Sequence, residues 1–194
     1  MDYKKYLASK PLWSRHSKKH HHANPIFEVV SHRSTSVDKK IDNDFFILEA
    51  KDWVNVIALT RDRLVVMVAQ YRHGSHSWSL EFPGGIVEKT TPDRHLQTAK
   101  SELMEETGYS TENWELLGTM RPNPAFLNNW NYSYLALDVE LSGEQNLDEN
   151  EEIEILLVPL AEIPELIRNG VISHSMMLAI TTLFLTSPRG KSLL

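Results

Sequence analysis

Cysteine is absent from all 194 residues. Neither a disulfide framework nor a thiolate metal site is therefore open to this chain. The absence suits a reducing compartment, and a cytoplasmic location is the expectation. Long apolar runs are missing too: none approaches the roughly 18 residues that span a bilayer, so no membrane role is expected. Met1 to Lys10 is polar and has no apolar h-region of a signal peptide. There is no internal repeat. The one low-complexity tract is Lys18-Lys19-His20-His21-His22; no partner ligand stands at a fixed spacing from its histidines, so no metal site is expected there. Positive charge is also in short supply. A net charge of −6 disfavours a protein that grips nucleic acid nonspecifically.

What is present is enough for one sizeable core, since 41% of residues are hydrophobic. The charge is uneven. Residues 1–22 carry six lysines and arginines against Asp2, whereas residues 144–154 carry Glu144, Asp148, Glu149, Glu151, Glu152 and Glu154 and no base. An acidic run of this kind is ordinarily a solvated surface.

The hydrophobic pattern predicts strands at Ile26–His32, Phe45–Glu49, Val54–Thr60, Leu64–Tyr71 and Trp78–Phe82. Arg61-Asp62 reads as a hairpin turn. Pro83-Gly84-Gly85 reads as a turn whose glycines take positive φ. From Asp93 to Thr107 the period becomes helical, with Gly108 at the C′ position. Strands resume at Trp114–Arg121, Asn131–Leu141 and Ile153–Val158, and helices at Leu160–Asn169 and Ser173–Thr186 close the chain. This order predicts an α+β fold. Residues 1–50 form a tail and β extension, and residues 51–194 form the main domain.

The central helix ends Ser101-Glu102-Leu103-Met104-Glu105-Glu106-Thr107-Gly108-Tyr109. Glu102 is at i to both Glu105 and Glu106 (i+3, i+4), so the three project to one side while Leu103 and Tyr109 serve the core. By itself such a trio suits any surface helix. Its place late in the helix runs against the macrodipole, however, which favours cations there. A buried carboxylate pair about 4 Å apart repels by roughly 4 kcal/mol at an effective dielectric near 20. A hard divalent cation removes that cost, and oxygen-only ligands suit Mg2+ or Mn2+. A carboxylate helix after a Gly-Gly turn is thus a sensible site for phosphate hydrolysis.

Gly85, Asp93, Glu102, Leu103, Glu105, Glu106, Gly108 and Tyr109 resemble the Nudix box, Gly-x5-Glu-x7-Arg-Glu-U-x-Glu-Glu-x-Gly-U, where U is aliphatic or aromatic. The resemblance runs from about Val54 to Leu185. It implies an α/β/α sandwich with a mixed sheet and an N-terminal β-strand extension. It also implies Mg2+, with Mn2+ as a substitute, held by Glu102, Glu105, Glu106 and the Gly84 carbonyl, with Glu105 in the catalytic set. Two departures stand out. The Gly85-to-Glu102 spacing is two residues longer than the pattern, which puts Asp93 in place of the first Glu. Ser101 occupies the position of the box arginine, which predicts weaker metal binding or slower turnover.

Pro124, 15 residues after Tyr109, resembles the proline of the subgroup that hydrolyses ADP-ribose. The stretch Asn123-Pro124-Ala125 with Asn128 and Asn129 reads equally as a substrate mouth or as a plain turn. Gln70-Tyr71-Arg72 resembles the same subgroup, in which the arginine meets the diphosphate; a guanidinium fork suits two phosphate oxygens. Glu81 joins Arg72, Pro124 and Asn128 as a substrate-binding candidate. Glu149-Asn150-Glu151-Glu152 resembles a loop that supplies a general base, Glu149, and a further metal ligand, Glu151. The implied reaction is hydrolysis of the pyrophosphate bond of a nucleoside diphosphate sugar, giving a nucleoside monophosphate and a sugar phosphate. The resemblance implies a homodimer built through residues 25–49. The alternatives are a nucleotide-sugar-binding regulator, which Ser101 favours, and an RNA 5′-pyrophosphohydrolase, which the basic N-terminus favours. Phe27, Phe126 and Trp130 read as base contacts or as core.

Overall fold

The computed structural model describes residues 1–88 and 90–193, which fall into two compact units. The first comprises Met1–Lys51 and Asn123–Asn129, the second Asp52–Pro122 and Trp130–Leu194.

The first unit opens with a short helix α1 (Tyr3–Ala8), started by the Asp2 side chain accepting from the Lys5 N–H at 3.1 Å. An antiparallel sheet follows, in the order β1 (Ser14–Ala23), β2 (Phe27–Thr35), β3 (Asp42–Ala50). Sequence periodicity gives no sign of β1, because all ten of its residues are exposed and it has no apolar face to alternate. Its ladder to β2 defines it, helped by Lys18 pairing with Glu49 at 2.5 Å and by His21 hydrogen-bonded to Ser31. His20, His21 and His22 all lie on this strand. Asn123–Asn129 belongs with this sheet: Leu48 donates to the Phe126 carbonyl, and Asn128 Oδ1 accepts from the Ala50 N–H at 3.0 Å.

The second unit is built on a mixed sheet. Its strands are β4 (Trp53–Leu59), β5 (Leu64–Arg72), β6 (Ser77–Glu81), β8 (Asn113–Met120), β9 (Asn131–Leu137) and β11 (Ile153–Pro159), in the order β11-β5-β4-β9-β8 with β6 on β5. The β4–β9 pair is parallel and the other pairs are antiparallel. A two-stranded ribbon joins β7 (Tyr109–Ser110) to β10 (Glu140–Leu141). The strand expected at Asn131–Leu141 is broken, because Asp138 takes φ 55° between β9 and β10.

Period-2 alternation sorts the core. Ile57, Leu59, Val65, Met67 and Leu135 face helices α3 (Ile163–Arg168) and α4 (Ser175–Thr186) through Ile163, Met177, Ile180 and Phe184. Val54, Val56, Ala58, Val66 and Ala136 face helix α2 (Arg94–Thr107) through Ala99 and Leu103. The layering is the expected α/β/α sandwich. A 3-10 turn (Leu160–Glu162) precedes α3, and α5 (Pro188–Leu193) follows α4. Gly108 ends α2 at φ 73°, a conformation costly for other residues, and its N–H reaches the Met104 carbonyl at 2.8 Å. Among the described residues no helix is long and apolar enough to cross a membrane.

Candidate active site

The turn after β6 delivers the first wall of the site. Val56 donates to the Pro83 carbonyl at 2.8 Å and Val54 to the Gly85 carbonyl at 2.9 Å, so the turn lies extended along β4. Alternation then directs the N–H and carbonyl of Gly84 to the other side. The positive φ expected for these glycines is not found. Space is the reason for them instead. A Cβ on Gly84 would meet the Val54 carbonyl oxygen, and one on Gly85 would meet the Glu102 carboxylate.

Helix α2 supplies the second wall. Its apolar side places Ala99 and Leu103 in the core, which turns Glu102 and Glu105 toward the turn. Glu106 is 3% exposed, and its Oε2 accepts from the Gly84 N–H at 3.0 Å. Burial, with the charges of Glu102 and Glu151 adding to it, pushes the Glu106 carboxyl up to about 8, against the pull of the Gly84 hydrogen bond and Arg72.

The third wall is the acidic loop, and its base is tied to the end of α2. The last carbonyls of a helix lack intrahelical partners. Here the Asn146 N–H serves the Glu105 carbonyl at 2.8 Å and the Gln145 side chain serves the Glu106 carbonyl at 2.7 Å. Beyond that anchor, Glu151 accepts from the Asp148 N–H at 3.1 Å and donates its own N–H to the Asp148 carbonyl. Glu151 and Asp148 thereby face the cleft.

Arg72, at the end of β5, closes the fourth side. Its Nε and Nη2 donate to the two Glu81 oxygens at 2.8 and 2.7 Å, and Glu81 is 1% exposed. Burial works to raise the Glu81 pKa, but the hydrogen bonds and charge of Arg72 outweigh it and hold the carboxyl below its ordinary range. The Glu81 hydrogen bonds in turn raise the pKa of Arg72, with help from Glu106 and Glu151.

These walls enclose a cleft of about 500 Å3. Of the residues singled out from sequence, Arg72, Gly84, Glu102, Glu105, Glu106 and Glu151 line it together. Glu81 lies beneath Arg72 rather than in the cleft wall. Glu149 is exposed and does not line the cleft. Pro124 and Asn128 belong to the other compact unit. Glu88, Asp148 and Thr98, to which no sequence motif gives a role, also line the cleft. Thr98 was findable, since it is one helical turn before Glu102. It is 4% exposed, and its hydroxyl has no protein partner.

Among the described lining residues, Glu88, Glu102, Glu105, Glu106, Asp148 and Glu151 stand against Arg72 as the one strong base. The donors are all oxygen, and the most buried of them holds its proton in the absence of a counter-charge. That set fits a hard divalent cation. No three His, Asp or Glu groups among the described residues already converge as a cage. A small hard cation that takes one or two carboxylates and shares the rest of its shell with water and phosphate needs no such cage.

The architecture is that of a mixed-sheet α/β/α sandwich with a carboxylate helix abutting a Gly-Gly turn. The NUDIX domain pattern matches residues 51–178, and the chain belongs to that family. It is 36% identical over 125 residues to the methanol dehydrogenase activator of Bacillus methanolicus, covering 63% of this chain and 65% of that one. It is 30% identical over 117 residues to an ADP-ribose pyrophosphatase of Bacillus subtilis (strain 168), covering 60% and 62%. Over 130 residues it is 30% identical to an ADP-ribose pyrophosphatase of Mycobacterium tuberculosis, covering 65% and 61%. The chain thus spans just under two-thirds of the length of these curated relatives. A solved structure described as an ADP compounds hydrolase superimposes with a TM-score of 0.80 at 18% identity, over 96% of this chain and 100% of that one, which shows the shared fold.

Proposed function

We propose that this chain hydrolyses the pyrophosphate bond of a nucleoside diphosphate sugar, with ADP-ribose the leading substrate, to a nucleoside monophosphate and a sugar phosphate. The observation that carries this reading is the cleft in which Glu102, Glu105, Glu106 and Glu151 face Arg72. Two relatives named ADP-ribose pyrophosphatase support the choice of substrate.

Glu102, Glu105, Glu106, Glu151 and the Gly84 carbonyl would hold Mg2+, with Mn2+ as a substitute. Bound there, the metal would neutralise the diphosphate charge and lower the pKa of water. Arg72, with its fork fixed by Glu81, holds a non-bridging phosphate oxygen and sets the diphosphate in place. Gly84 keeps Glu106 on the cleft side of the turn. The proton acceptor comes from the acidic turn. The resemblance gives this role to Glu149, while Glu151 is the residue that lines the cleft. Parallel Glu149→Gln and Glu151→Gln variants separate them, since loss of the base lowers kcat most and loss of a ligand raises the metal requirement.

The test is phosphate release, with a phosphatase added, from ADP-ribose, GDP-mannose, UDP-glucose and a 5′-triphosphorylated RNA, each with Mg2+ and with chelator. Metal-dependent cleavage of a sugar nucleotide supports the reading. Cleavage of the RNA alone replaces it. Tight binding without turnover supports the second reading, a nucleotide-sugar-binding regulator, which Ser101 at the box-arginine position favours. We also propose a homodimer formed through the N-terminal sheet, supported by its wholly exposed strand β1 and by exposed Phe45 and Phe46; light scattering of the full chain tests it.

A further inference from the structure

A second cleft, of about 550 Å3, opens between the β5–β6 turn and the residues before α4. Its wall includes Tyr71, Trp78, His73, Ser173 and His174, none of which the reaction above uses. Arg72 lines this cleft as well as the carboxylate cleft. Arg72, held by its two hydrogen bonds to Glu81, is therefore the partition shared by the two spaces.

The aromatic surface of this second cleft is built to stay in place. Tyr71 and Trp78 are directly paired across β5 and β6, so their rings share one face of the hairpin. The rings meet edge to face at 6.1 Å and 78°. Tyr71 is fixed further by a 2.6 Å hydrogen bond between its hydroxyl and His76 Nδ1 and by an edge contact with His73 at 5.2 Å. His76 adopts φ 53° in the turn, a conformation unusual for a non-glycine residue. Trp78 itself remains 50% exposed. A large half-exposed indole on an edge strand, braced by a tyrosine and ringed by imidazoles and serines, has the composition of a stacking platform with hydrogen-bonding groups at its rim.

We infer that this cleft is the nucleobase subsite, in which Trp78 stacks on the base while Arg72 holds the diphosphate at the partition. The inference rests on the proposed hydrolase reading and extends it. A nucleoside diphosphate sugar carries two arms on its diphosphate. An anchor shared by two clefts sends one arm to each side, and the aromatic side suits the planar arm. His73, His174, Ser75 and Ser173 face the edges of a base seated there, and the sugar phosphate is left on the carboxylate side.

The test is calorimetric titration of AMP and of ribose 5-phosphate into the full chain and into its Trp78→Ala and Trp78→Phe variants. ADP-ribose hydrolysis by the wild-type chain is measured alongside. Loss of one base–aromatic stack weakens binding roughly five- to hundredfold. AMP affinity should fall by about tenfold or more in Trp78→Ala and be largely kept in Trp78→Phe, with ribose 5-phosphate equal in all three. AMP binding that ignores Trp78, or no AMP binding to the wild-type chain, overturns the subsite even if hydrolysis proceeds. Weakening of ribose 5-phosphate instead overturns it by putting the sugar arm on Trp78. Failure of the underlying hydrolase reading shows separately, as AMP bound through Trp78 with no cleavage of ADP-ribose.

Discussion

The backbone N–H of Gly84 donates to Oε2 of Glu106 at 3.0 Å, tying the turn after β6 to the last helical turn of α2. Through this one bond a nearly buried carboxylate is held at the cleft wall, and its proton becomes the counterpart of the metal.

The pH dependence follows from that proton. Without metal, Glu106 has a pKa near 8, against an ordinary value of 4.5. Between those values the folded chain binds a proton that the unfolded chain has lost, so metal-free stability falls as pH rises through the window and levels off above about 8. Mg2+ must displace this proton, so its affinity should climb from pH 6 toward 8, with about one proton released per binding event near neutrality. Titration calorimetry in buffers of different ionisation enthalpy measures the release. In Glu106→Gln the release should vanish.

The close packing at Gly84 predicts that Gly84→Ala damages both stability and activity. The added Cβ would lie against the Val54 carbonyl and about the Asn55 side chain, and backbone cannot yield as a flexible side chain does. Overpacking of this kind costs about 1–3 kcal/mol, a drop of a few °C in melting temperature by thermal unfolding. Metal affinity should fall as well, since the turn also positions Glu106.

The bidentate pair of Arg72 and Glu81 makes lysine a poor substitute at position 72. Arg72→Lys keeps the charge and loses the fork, so KM for the diphosphate substrate should rise by about tenfold. Arg72→Ala leaves Glu81, 1% exposed, with its main partner gone. Loss of one partner of a fully buried pair costs about 3–5 kcal/mol. The Arg72 side chain is 43% exposed, so water compensates in part and about 2 kcal/mol is expected. Denaturant melts of the two variants distinguish the effects.

Ser101 lines the carboxylate cleft where the Nudix pattern carries arginine. Restoring that cation in Ser101→Arg should lower the Mg2+ concentration for half-maximal activity by about threefold or more. An unchanged metal requirement would show that another group already fills the role.

Much of this architecture was legible because burial leaves a period in the sequence. The continuous apolar runs of β4 and β5, buried on both faces, and the helical spacing of Leu96, Ala99 and Leu103 in α2 announce the sandwich. Once α2 was placed, Glu102, Glu105 and Glu106 had to share a side. Strand β1 was illegible for the opposite reason: with every residue exposed, it is defined only by its ladder to β2. The break at Asp138 likewise depends on one left-handed residue that no periodicity reveals. The glycines of the Pro83 turn mark a real turn, but they serve close approach rather than positive φ. Gln145 and Asn146 looked like part of a solvated acidic run; their role as partners of the α2 carbonyls appears only when the loop returns to the helix. Arg72 and Glu81 were picked out singly, and the nine-residue hairpin separation hid that they form one unit.

The most direct test of the central claim is hydrolysis of ADP-ribose followed by chromatography of the products, for the wild-type chain and for Glu102→Gln and Glu106→Gln, each across a Mg2+ titration. The account predicts AMP and ribose 5-phosphate from the wild-type chain only when metal is present, with kcat/KM falling by at least about a hundredfold in each variant. Full activity in Glu106→Gln, or wild-type cleavage that persists in chelator, would contradict it.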